Sequence, residues 1–113
     1  MSGVPTVARA DWTLVQRWSG NGNLTTETFE VTSRDWQIHW EAVPAANGPD
    51  TPGLAAMFQI EVYDANTGTP LSVVADAQGP GNVTDTDHRG PGRFYLMINS
   101  RLLDWTVTVQ DDR

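Results

Sequence analysis

Residues 92–110 read GRFYLMINSRLLDWTVTVQ, and their side chains alternate in character with a period of two. Phe94, Leu96 and Ile98 fall on one side, and Arg93, Tyr95, Met97 and Asn99 on the other. After a short polar turn, Leu103, Trp105, Val107 and Val109 fall on one side, with Asp104, Thr106, Thr108 and Gln110 opposite. Successive side chains of a strand point to opposite faces, whereas a helix would scatter this pattern around its circumference. Aromatic and β-branched residues in strict alternation therefore predict two half-buried antiparallel strands, here paired as a hairpin that organises the fold.

The rest of the chain repeats this pattern. Trp12, Leu14, Gln16 and Trp18 alternate with Thr13, Val15 and Arg17, giving a first strand with a mostly apolar face. A Gly/Asn cluster at 19–23 turns the chain, because these residues tolerate positive φ. Residues 25–31 form a second strand, with Phe29 and Val31 inward and Thr26, Thr28 and Glu30 on the polar face. After a polar turn at 33–35, Trp36, Ile38, Trp40 and Ala42 share one face, and Gln37, His39 and Glu41 the other. Each tryptophan contributes about 150–250 Å² of surface to bury. Pro44 ends that strand, and 45–53 is an irregular loop. Phe58, Ile60 and Val62 then point inward, with Met57, Gln59, Glu61 and Tyr63 outward. Residues 64–68 have hairpin chemistry. A short strand at 71–75, a turn at 78–82, a polar edge strand at 83–87 and a turn at 88–92 complete the chain.

No sustained i, i+3, i+4, i+7 apolar pattern competes. Short strands with turns between them predict an all-β antiparallel two-sheet β-sandwich of jelly-roll type, with seven to nine strands. Its expected core is Phe29, Trp36, Ile38, Trp40, Phe58, Ile60, Val62, Phe94, Leu96, Ile98, Trp105, Val107 and Val109. Residues 1–10 lack periodicity and read as an N-terminal arm; 11–113 read as a single domain. A chain of 113 residues can bury roughly 60–70% of its unfolded surface, enough for one core.

Composition excludes several classes of function. There is no cysteine, hence no disulfide, thiolate nucleophile or Cys-based zinc site. Seven cations, all arginine, face fourteen acids for a net charge of −7. Such a chain offers no electrostatic footprint for a phosphate backbone, so nucleic acid is not expected as a partner. No apolar run approaches the roughly 18 residues of a membrane span. The start, MSGVPTVARADW, has no basic segment followed by an apolar one. Cytosolic residence, a viral origin and removal of a leader all fit that start.

The order of motifs carries a resemblance. TETFEV at 26–31, WQIHW at 36–40, FQIEVYD at 58–64, GRFYLMI at 92–98 and WTVTV at 105–109 follow one another. This series resembles the β-sandwich modules of bacterial secreted and envelope proteins. It is similar to the pre-peptidase C-terminal domain and to CUB-like jelly rolls. The resemblance implies an accessory role outside the cytoplasm, in which the module binds, spaces or stabilises and performs no chemistry.

Individual residues add little chemistry. His39 and Glu41 share an outer strand face, but no nucleophile or oxyanion signature accompanies them. His88 sits beside Arg89 in a turn. Asp64, Asp76, Asp85 and Asp87 are carboxylates in or near loops, yet they have neither EF-hand spacing nor a glycine-rich calcium repeat. No catalytic residue, metal site or cofactor is expected. Tyr63 and Tyr95 fall out of phase with the apolar face. Together with Met97 they are the expected binding residues. The expectation is a non-enzymatic binding or structural module of a secreted or cell-envelope protein, with a protein partner. Two alternatives are a phage decoration or tail component, which would sit in the virion, and a carbohydrate-binding module using an outer aromatic patch.

Overall fold

The computed structural model describes residues 12–44 and 56–112. The arm expected at 1–10 lies outside these residues, and so does the loop expected at 45–53. The described residues form nine strands: β1 (Trp12–Gly20), β2 (Leu24–Thr25), β3 (Phe29–Val31), β4 (Trp36–Pro44), β5 (Met57–Asp64), β6 (Pro70–Ala77), β7 (Gly81–Asp87), β8 (Gly92–Arg101) and β9 (Leu103–Asp112). Among them no helix is long and apolar enough to cross a membrane.

Two antiparallel sheets result. Sheet A has the order β1-β9-β4-β7; sheet B has the order β2-β8-β5-β6, with β3 also paired to β8. The chain crosses between sheets at nearly every connection. The exceptions are β2 to β3, which edge the same strand, and the β5–β6 hairpin. With β2 and β3 counted as one interrupted strand, eight positions in two four-stranded sheets make a jelly roll.

The stretch 92–110 corrects one expectation. Its two runs are strands, but they do not form a hairpin. β8 pairs with β2, β3 and β5, while β9 pairs with β1 and β4. Leu102, at φ 63°, is the single residue between them. Alternation reports which face of a strand is buried, not which strand lies beside it. A corner that brings two apolar faces together across the sandwich satisfies that pattern as well as a hairpin does. The expected hairpin at 64–68 is present. The Gly68 amide donates to the Asp64 carbonyl (2.8 Å), the Asn66 amide to Asp64 Oδ1 (2.8 Å), and Gly68 adopts φ 72°.

Two further expectations change. In β1 the register slips between Leu14 and Gln16. This bulge re-aims the first half of the strand. Leu14 is 52% exposed, whereas Val15 packs against the core and Trp18 is buried. Residues 25–31 are not one continuous strand, and Thr26 is buried rather than outward. Where the ladder breaks, the Thr26 amide donates to the Leu96 carbonyl (2.9 Å). The Leu96 amide donates to Thr26 Oγ1 (2.9 Å), so a side-chain oxygen replaces the missing backbone acceptor.

Every expected core residue is buried. Trp36 stacks on Phe94 with centroids 4.9 Å apart, and Trp40 meets Phe58 at the same distance. The Trp105 indole donates to the Gly22 carbonyl (3.0 Å) and the Trp18 indole to Glu27 Oε1 (3.0 Å). At one end of the core, buried Asp111 accepts from the amide and the hydroxyl of Thr32 at 3.0 and 3.1 Å. That contact fastens the end of β9 to the segment after β3. With both inner faces filled, contacts with other molecules fall to the two outer sheet faces, the open edges and the connecting loops.

Candidate functional site

The outer face of sheet B carries all three residues singled out from the sequence, and the register brings them together. Tyr63 on β5 lies directly opposite Tyr95 on β8, and Glu61 lies opposite Met97. Directly opposed residues on one sheet face are the closest cross-strand neighbours. The two phenol rings stack with centroids 5.0 Å apart and planes within 6°. The Tyr63 hydroxyl lies 3.4 Å from Glu61 Oε2, to which it donates, and 4.0 Å from Met97 Sδ. Val73, 53% exposed, extends the apolar bulk beside Glu61 on β6. Arg93 on β8, opposite Glu30, borders the patch.

Electrostatics at this patch favour the neutral phenol. Partial desolvation pushes the Tyr63 pKa above its ordinary value of 10.0, with the nearby Glu61 carboxylate and Tyr95 acting in the same direction. Tyr63 therefore stays an uncharged donor at neutral pH. The patch presents two flat, stacked rings with polar tips.

Several other titratable groups make hydrogen bonds within the fold. His39 Nδ1 lies 2.7 Å from Thr84 Oγ1, and Glu41 Oε2 accepts from Asn82 Nδ2 at 3.0 Å. His88 Nδ1 lies 2.7 Å from Asp35 Oδ1. Asp87, only 7% exposed, accepts from the Arg89 amide (2.8 Å) and guanidinium (3.1 Å). The same Arg89 reaches Ser72 Oγ at 3.0 Å, linking the edge of sheet A to the edge of sheet B. Asp64 caps its own turn. Among the described residues, no three acidic, histidine or cysteine side chains come together as a metal site.

The register also assembles residues that the sequence alone did not single out. Arg17, Ser19, Thr106 and Thr108 join His39 and Glu41 around a groove of about 430 Å³ on the outer face of sheet A. Arg17 and Thr108 are 91 positions apart in the chain. Alternation places each on an outer face, but only the strand order makes them neighbours.

No family model matches the chain, and no curated protein matches it. Among solved structures, it is similar to a carbohydrate-binding module, CBM6cm-2, from Cellvibrio mixtus lichenase 5A, determined in complex with cellotriose. The match has 12% sequence identity and a TM-score of 0.45, and covers 92% of each chain.

Proposed function

We infer that this chain is a non-enzymatic binding module of a secreted or cell-envelope protein, and that it meets a protein partner through the outer face of sheet B. The observation that carries this reading is the stacked Tyr63–Tyr95 pair beside Met97. Tyrosine supplies a large amphipathic contact area with few rotatable bonds, and it is enriched where proteins meet. Here each ring already holds the other in place, so little side-chain entropy remains to be lost on binding. Stacking the rings on one another also turns one face of each away from a ligand. That favours edge and hydroxyl contacts with a protein over a flat platform for a sugar ring. The placement outside the cytoplasm rests on the motif resemblance.

The test is co-purification of tagged protein from the cells that produce it, comparing wild type with a Tyr63→Ala/Tyr95→Ala variant. Loss of a central aromatic anchor costs at least about 2 kcal/mol, or roughly 30-fold in affinity. A partner recovered with wild type should therefore be lost with the variant. Recovery of the same partner with both would remove this face from consideration. Light scattering across a concentration series separates the alternative of a self-assembling virion component, which would show reversible oligomers that the double variant abolishes.

A further inference from the structure

We propose that the groove on the outer face of sheet A is a second ligand site, separate from the tyrosine patch, and that it takes a neutral, hydroxyl-rich ligand such as an oligosaccharide. Two rows of side chains cross this sheet from edge to edge. One row is Arg17, Thr108, His39 and Thr84; the other is Ser19, Thr106, Glu41 and Asn82. Within each row the side chains bond in pairs. Arg17 Nε meets Thr108 Oγ1 at 3.4 Å and Ser19 Oγ meets Thr106 Oγ1 at 3.3 Å, which joins β1 to β9. His39 bonds to Thr84 and Glu41 to Asn82, which joins β4 to β7.

The seam between β9 and β4 is left open along these two rows. One row further on, Gln37 Nε2 donates to Gln110 Oε1 at 2.6 Å and closes the seam. The result is a groove with the threonines of β9 along its middle, Arg17 and Ser19 on one side, His39 and Glu41 on the other, and a stop at one end. Thr108 is only 8% exposed although it points to the outer face, because its neighbours rise around it. The volume falls within the roughly 300–1,000 Å³ of small-molecule sites.

The donor and acceptor set selects the ligand. Arg17 offers its two terminal guanidinium nitrogens, which only donate. Glu41 offers the oxygen not taken by Asn82, which as a carboxylate only accepts. His39 offers Nε2, and the threonine hydroxyls both donate and accept. An anion in the groove would face Glu41, and a cation would face Arg17. A neutral ligand bearing hydroxyls satisfies both at once, because each hydroxyl both gives and takes a hydrogen bond. The lining residues are all polar, so an apolar ligand would leave them unsatisfied at a cost that burial does not offset.

The experiment is an amide-resolved NMR titration of the intact protein with cellotetraose, xylotetraose and mannotetraose as separate probes. At about 10 mM probe, a site with a millimolar Kd is close to saturated. The expected result is saturable shifts, with at least one probe, concentrated at Arg17, Glu41, Thr106 and Thr108. Arg17→Ala and Glu41→Ala should each weaken that binding by about ten-fold or more, since hydrogen bonds to charged groups are the strong ones. Both positions are solvent-facing, so unchanged melting temperatures would show that the variants are folded. Tyr63→Ala/Tyr95→Ala should bind the oligosaccharide as wild type does, even if it loses its protein partner. Absence of shifts with all three probes would overturn the proposal, as would shifts centred on Tyr63 and Tyr95 instead.

Discussion

Replacing Thr26 with valine removes one hydroxyl and keeps the shape of the side chain. That hydroxyl accepts from the Leu96 amide at 2.9 Å and donates to the Glu27 carbonyl at 2.9 Å. Thr26 is 6% exposed, so water does not readily take over. The variant leaves the Leu96 amide buried without an acceptor, at a cost of about 1–3 kcal/mol. The added methyl group recovers up to about 0.8 kcal/mol by burial. The net loss is then about 0.2–2.2 kcal/mol. For a chain of this size each kcal/mol lowers Tm by about 4 °C, so a drop of about 1–9 °C is expected. Thermal melts followed by circular dichroism read the Tm, and hydrogen exchange reads Leu96 directly. Exchange at that amide should accelerate in Thr26→Val and remain slow in Thr26→Ser, which keeps the oxygen. A valine variant as stable as wild type, with Leu96 equally protected, would refute the idea that a side chain bridges the break between β2 and β3.

Other outcomes follow from particular contacts. A Cβ on Gly81 would sit 2.6 Å from Trp40 Cη2 and 2.9 Å from Cζ3, so Gly81→Ala should cost about 1–3 kcal/mol by overpacking and alter the near-ultraviolet dichroism of the tryptophans. Arg89→Ala takes the guanidinium away from buried Asp87, and urea unfolding should show a loss of about 1–3 kcal/mol. Because the raised Tyr63 pKa favours the neutral phenol in the folded state, this group's contribution to stability is fully present below pH 10 and is lost as pH rises through the folded pKa. Ultraviolet titration of phenolate should place Tyr63 above its ordinary value, and Glu61→Gln should move it back towards 10.

Much of the fold was legible because half-burial writes itself into alternation. Trp36, Ile38 and Trp40, or Phe94, Leu96 and Ile98, announce both a strand and its inward face. Three features were not legible, each for a physical reason. The pairing of β8 and β9 with other strands depends on a corner at Leu102, and a non-glycine residue at positive φ carries no sequence signal. The bulge at Val15 inserts one residue and reverses the face of Leu14, which a period-two reading cannot detect because Leu14 and Val15 are both apolar and either could face inward. Thr26 looks like an ordinary outward threonine until the strand is seen to break there. The candidate sites divide in the same way. Tyr63, Tyr95 and Met97 stood out as bulk on the wrong phase, and β5 and β8 proved to be adjacent. The groove on sheet A stayed hidden because Arg17, His39 and Thr108 come from three strands far apart in sequence.

Contact between the outer face of sheet B and a protein partner can be read by site-specific photo-crosslinking in the cells that produce the protein. A photoreactive phenylalanine analogue at position 95 reports on the patch; the same group at exposed Thr86, on the outer face of sheet A, is the control. A discrete adduct is expected from position 95 that Met97→Glu removes, and none of that mass from position 86. No adduct from position 95, or the same adduct from both positions, would contradict it.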